Sequence, residues 1–148
     1  MSSIKRVSGN YTVQTIDPAS TIILQAGSTV INGNLSVSGT GKINPAVNTT
    51  TSASSITPNV GQYDFYVINA LATGLTINAP TGSPADGTKL VFRLLDNGTS
   101  RSLTWNGIYT AIDVTIPNAT TINKTTYVTC LYNAYFSRWD VVSVTTQL

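Results

Sequence analysis

Catalysis by a side-chain nucleophile needs a base beside it, and this chain offers little from which to build one. It holds no His and one Cys, Cys130, so neither a Ser-His nor a Cys-His pair can form. Its Lys residues stand in no Ser-x-x-Lys setting. Every acidic side chain is an Asp: Asp17, Asp64, Asp86, Asp96, Asp113 and Asp140. Two of these, brought together in space, could act as acid and base on a glycosidic bond, a pairing that linear spacing does not reveal. The same scarcity of His and Cys removes the ligands of transition-metal sites. Asp86 or Asp96 could hold calcium with loop carbonyls, but no segment matches an EF-hand loop, and both fit turn positions better. Phosphate loops and dinucleotide fingerprints are absent, and the glycines punctuate turns. The expectation is a protein that is not an enzyme and uses no cofactor or metal.

Chemistry of recognition is better represented. Tyr127, Tyr132, Tyr135, Phe136 and Trp139 form an aromatic group that Trp105 and Tyr109 could join. Aromatic rings stack on sugars and dominate interfaces, and they also fill cores. Trp105, Tyr127 and Trp139 are expected in the core. Tyr135 and Phe136 fall at a predicted hairpin tip and are the expected exposed, partner-binding pair. Cys130, within an apolar run, is expected to be a small buried residue rather than a reactive thiol. The Asn-x-Ser/Thr triplets beginning at Asn10, Asn97 and Asn123 arise by chance in so Thr-rich a chain and carry no weight.

The elements that must position these residues follow from composition. With 148 residues, the chain suits one domain with or without a smaller appendage. Apolar residues make up 41%, enough for a core, whereas only 9% are charged, against roughly 25% on average. Thr, Asn, Ser and Gly take the polar positions and Glu is missing, which favours strands and tight turns over solvated helices. A net charge of +2 repels neighbouring copies weakly, as suits a component of an assembly, and is too scattered to suggest nucleic acid. No run approaches the ~20 apolar residues of a membrane span, and the start lacks a secretory core, so synthesis in a cytoplasm is expected.

Along the chain, residues 11–43 alternate short apolar runs with Asp17-Pro18, Gly27-Ser28, Asn32-Gly33 and Gly39-Thr40-Gly41. So few apolar residues enclose no core within one chain. Copies wrapped about a common axis would supply one, with Ile22, Leu24, Val30, Leu35 and Val37 as the trimer core; a β-meander packed on the following domain is the alternative. Residues 46–58 are rich in Thr and Ser and read as an extended linker between a segment 1–45 and a domain 59–148. In that domain, residues 89–105 are expected to form a central hairpin turning at Asp96-Asn97-Gly98, with Leu90, Phe92 and Leu94 on one arm and Leu103 and Trp105 on the other. Further strands are expected at 63–71, 75–79, 112–116, 126–132 and 138–145. The fold expected is all-β: a short intertwined β-helical or β-prism segment followed by an antiparallel β-sandwich or small barrel.

The phrases Gly9-Asn10-Tyr11-Thr12-Val13-Gln14-Thr15-Ile16 and Val30-Ile31-Asn32-Gly33-Asn34-Leu35-Ser36-Val37-Ser38-Gly39-Thr40 resemble the short β-helical spacers of tailed-bacteriophage virion proteins. The remainder, from Ile56-Thr57-Pro58 through Asp96-Asn97-Gly98 and Leu103-Thr104-Trp105-Asn106 to Trp139-Asp140-Val141-Val142, resembles a β-rich domain common at the C-terminus of phage structural proteins. The resemblance implies a homotrimeric virion component, made in the host cytoplasm, and transfers no catalytic residue. Its repeat-like part is short, which suits a capsid decoration (cement) protein or head fibre better than a long tail fibre. The implied partners are further copies of the chain and the major capsid protein or another virion protein, with Ser2, Ser3, Ile4, Lys5, Arg6 and Val7 as a capsid anchor. A tail-fibre or carbohydrate-binding module contacting a host-surface glycan is the competing expectation, separable by substitution at Tyr135 and Phe136.

Overall fold

Between Ala46 and Leu71 the chain runs out along one sheet, crosses to a second and returns beside its own starting strand. The computed structural model describes residues 44–148. The first strands are β1 (Val47–Thr50), β2 (Ser55–Ile56), β3 (Phe65–Leu71), β4 (Leu75–Ile77), β5 (Lys89–Asp96) and β6 (Leu103–Trp105). After them come β7 (Tyr109–Ala111), β8 (Thr126–Asn133) and β9 (Arg138–Thr146). The described part is all-β, with no helix among these residues.

Six strands form one sheet, ordered β1-β3-β5-β8-β9-β7, and β2-β4-β6 form the other. Through β6 the chain therefore winds in three coils, each placing one strand on each sheet, and every neighbour pair within the winding is parallel. A parallel pair needs a crossover, and here the opposite sheet supplies it in place of a helix. The coils also touch at Asn59 and Thr81, where the Val60 N–H donates to Thr81 O at 3.0 Å and the Thr81 N–H to Pro58 O at 2.7 Å. Stacking in register puts like on like. Tyr66 lies beside Phe92, Ile68 beside Leu94, and Leu75 beside Leu103. Such cross-strand pairs are the unit of sheet stabilisation.

β5 is the turning point of the topology. It pairs parallel with β3 along one edge and antiparallel with β8 along the other. The β8–β9 hairpin then extends the larger sheet, with β7 added parallel to β9. Inward residues of both sheets, among them Tyr66, Leu75, Phe92, Leu103, Val128, Cys130 and Trp139, form one core. Its polar aromatic atoms are satisfied: Trp105 Nε1–H donates to Pro117 O at 2.8 Å, Tyr109 OH to Asn78 O at 3.2 Å, and Tyr66 OH accepts from the Asn59 N–H at 2.6 Å. Cys130 is buried and free, as expected.

Four expectations are corrected. Residues 89–105 are not a hairpin, because β5 and β6 lie in different sheets. Leu90, Phe92 and Leu94 face Leu103 and Trp105 across the core, so the two arms share an interior but no ladder. The expected antiparallel arrangement gives way to mixed sheets, with five of the seven strand pairings parallel. The stretch 46–58 is not a bare linker: it carries β1 and β2, the edge strands of the winding. An edge strand is held mainly by its backbone, and Thr-rich sequence suits that role. Ala46 O accepts from the N–H groups of Asp64 and Phe65 at 2.9 and 3.1 Å, and Ala46 N–H donates to Asp64 Oδ2 at 2.9 Å. Finally, 112–116 forms no strand; Asp113 takes a positive φ of 52° just after the shorter β7 has ended.

The trimer-core positions Ile22, Leu24, Val30, Leu35 and Val37 and the anchor Ser2, Ser3, Ile4, Lys5, Arg6 and Val7 lie outside the described residues.

Candidate binding surfaces

Strand alternation in the larger sheet sends Tyr66, Ile68, Phe92, Leu94, Val128 and Cys130 inward, so their neighbours point outward. The register sets those neighbours in rows. One row runs Val47, Phe65, Val91, Thr129, Ser143; the next runs Thr49, Val67, Arg93, Tyr127, Thr145. Phe65 and Tyr127 approach diagonally across β5, ring centroids 6.4 Å apart, and the Arg93 guanidinium lies 5.9 Å from the Phe65 ring centre. Val47 and Tyr127 remain 46% and 41% exposed. The core position expected for Tyr127 is thereby corrected: its parity on β8 is opposite to that of Val128 and Cys130. Trp139 is buried and Trp105 packs partly buried against the core, as expected for both.

The turn between β8 and β9 presents the two aromatics that the sequence singled out. Tyr135 is 88% exposed and Phe136 58%. Their rings meet edge to face at 4.8 Å, and the Arg138 guanidinium sits 4.6 Å from the Phe136 ring centre. Arg138 also pairs with Asp140 at 2.6 Å, and Asn133 Nδ2 donates to the other Asp140 oxygen at 2.8 Å. The backbone of the turn is pinned by three N–H groups. Phe136 donates to Asn133 Oδ1, Ser137 to Ala134 O, and Ala134 to Asp86 Oδ1. Ser137 carries a positive φ of 50°, the left-handed step that closes the turn.

Beside this turn lies a cleft of ≈ 330 Å³ lined by Asp86, Ile112, Leu131, Asn133, Tyr135, Asp140 and neighbouring residues. It brings together two carboxylates that lie far apart in the sequence, a juxtaposition that spacing along the chain does not signal. The hydrogen bond from Asn133 is the main influence holding the Asp140 carboxyl below its ordinary pKa; partial burial opposes it and Arg138 assists. An Asp kept ionised in this way does not serve as the proton donor that glycosidic cleavage requires near neutral pH.

A third polar cluster is structural. Asp96, only 4% exposed at the end of β5, accepts at Oδ1 from the N–H of Gly98 at 2.9 Å and from that of Asn123 at 3.0 Å. Burial pushes its carboxyl pKa up, but the Asn123 and Gly98 N–H groups, with the Thr120 hydroxyl and the Arg101 charge assisting, outweigh burial, and the net displacement is downward. Gly98 has a φ of 91°, as the predicted turn requires. The turn therefore forms where expected, but it directs the chain to the opposite sheet. Among the described residues no three His, Cys, Asp or Glu side chains gather around a potential metal position. No helix among them is long and apolar enough to cross a membrane.

No protein-family profile, no curated protein and no solved structure matches this chain.

Proposed function

We propose that this chain is a non-enzymatic structural protein of a tailed-phage virion, a homotrimeric capsid decoration (cement) protein or head fibre that binds and stabilises the capsid. The observation that carries the reading is the outer face of the larger sheet. There Val47, Phe65, Val91 and Tyr127 form an apolar band, with Val47 and Tyr127 more than a third exposed. Contiguous apolar surface of this kind is a feature of association surfaces. The low charge of the chain supports the same reading, because copies crowded on a particle repel one another little. In this role the protein lies where capsid subunits meet and adds contacts across their boundary, opposing the outward pressure of packed DNA. Three linked copies, each burying a modest area, would bind far more tightly than one. The short turn-punctuated segment before the described domain, with Ile22, Leu24, Val30, Leu35 and Val37, is proposed as the β-helical core of the trimer, and Ser2 to Val7 as its anchor.

The test is the mass of the full-length protein in solution, together with its occupancy on purified particles. Three copies per assembly and bound capsids are expected. Tyr127→Glu should lower capsid occupancy and the heat resistance of the particle while leaving the circular dichroism of the free protein unchanged. A monomer at micromolar concentration, or particles indifferent to the protein's removal, would overturn the reading.

A further inference from the structure

Beyond a structural role, we propose that the cleft at the β8–β9 tip is a binding site for a neutral pyranose ring of a glycan, with Tyr135 as its stacking platform and Asp86 as its principal hydroxyl acceptor.

The lining is divided in the way a sugar is divided. Ile112, Leu131 and Val142 line the cleft and are each more than a third exposed, an apolar surface already in contact with water. The C–H face of a pyranose can cover such a surface and lie against the Tyr135 ring, which is almost wholly exposed. Polar groups stand beside it. Asp86 commits one carboxylate oxygen to the Ala134 N–H at 2.9 Å, and its other oxygen accepts no hydrogen bond among the described residues. Asn133 donates one Nδ2 hydrogen to Asp140, which leaves its second for a ligand oxygen. A volume of ≈ 330 Å³ falls at the small end of ligand sites, suited to one or two sugar rings rather than a folded partner.

Charge selects among saccharides. The Asp140 carboxylate is balanced by Arg138 at 2.6 Å, so among the described residues that line the cleft the uncompensated charge is that of Asp86. An anionic sugar, such as a sialic or uronic acid, would meet that carboxylate, whereas a neutral ring offers it hydroxyl donors. The tip is also set before the ligand arrives. The Tyr135–Phe136 contact, the Arg138 guanidinium over Phe136 and the three backbone N–H bonds fix the turn, so little ordering remains to oppose binding.

The experiment titrates the full-length protein with maltotriose, cellotriose and a neutral galactose trisaccharide, and with a sialylated trisaccharide as comparator, following amide NMR shifts. At least one neutral probe should shift residues 131–142 and those around Asp86 saturably. Tyr135→Ala and Asp86→Asn should each weaken that binding by about tenfold or more. Tyr135 is exposed, so its variant should keep the wild-type spectrum elsewhere, and Ile122→Ala, at an exposed residue that does not line the cleft, should leave affinity unchanged. Three results would overturn the proposal: no neutral probe binding at this tip, binding indifferent to both tip variants, or equal affinity for the sialylated probe.

Discussion

Phe92 and Trp105 meet edge to face across the core, ring centroids 5.3 Å apart and planes at 88°, although they sit on strands of different sheets. Tyr109 completes the cluster at 6.0 Å from Phe92 and 5.3 Å from Trp105. This contact joins the two sides of the winding. Replacing Phe92 with Ala should therefore cost about 3–5 kcal/mol, the range for emptying a fully buried aromatic site. Trp105→Phe keeps a ring but deletes the donor to Pro117 O, and should cost about 1 kcal/mol. Denaturant titration would rank the two; a smaller loss for Phe92→Ala would contradict a core shared by both sheets.

Asp96 makes acid sensitivity local. Its folded-state pKa lies below the ordinary 3.8, so the stabilisation it contributes is complete above that pH. It is lost as pH falls further, through the folded value. Asp96→Asn keeps an acceptor for the Gly98 and Asn123 N–H groups but cannot titrate, so its stability should decline less steeply below pH ~4 than that of the wild type. Asp96→Ala leaves both N–H groups without their acceptor and should cost about 2 kcal/mol even at neutral pH. Parallel acid limbs for wild type and Asp96→Asn would show that the carboxylate is not the titrating element.

The contact between coils at Asn59 and Thr81 depends on Gly82. Its φ is 102°, and a Cβ added there would stand 3.0 Å from the Gly61 backbone nitrogen. Gly82→Ala should destabilise by about 1–3 kcal/mol, combining left-handed strain with a backbone clash. Gly87 also has a positive φ, 77°, but a Cβ there would meet nothing within 4 Å. Gly87→Ala should therefore cost less than Gly82→Ala, and thermal melts of the pair separate steric crowding from conformational strain.

Cys130 should behave as a reporter of unfolding. Burial pushes its thiol pKa up to about 12, so almost no thiolate exists at neutral pH and the sulfur is shielded. A maleimide at pH 7.5 should leave the native protein unlabelled over hours and modify it quantitatively in denaturant. Rapid native labelling would mean that β8 opens far more readily than its place in the larger sheet implies.

Much of the strand content was legible along the chain. Alternation of Leu90, Phe92 and Leu94 and the runs 126–132 and 138–145 marked β5, β8 and β9, and the turn chemistry of Asp96-Asn97-Gly98 appears where those residues stand: Asp96 Oδ1 accepts from the Gly98 N–H at 2.9 Å. Two strands were misread for lack of side-chain signal. β1 and β2 carry one large apolar residue each, Val47 and Ile56, too few to show alternation, and backbone pairing at an edge holds them. At the β8–β9 turn, the exposure of Tyr135 and Phe136 followed from their place at a hairpin tip. The convergence of Asp86 with Asp140, and the outward face of Tyr127, needed the register of β8 against its neighbours.

Residue types by themselves determined that the described domain would be built of strands, and marked its long alternating runs and the turn at Asp96-Asn97-Gly98, but not the break at Asp113. They did so because period, propensity and turn geometry are local properties. Which strands would lie side by side was decided only in three dimensions. An apolar face at period two is satisfied equally by a hairpin partner beside it or by a strand across the core. Phe92 and Trp105 took the second arrangement once the parallel coils had brought their sheets together.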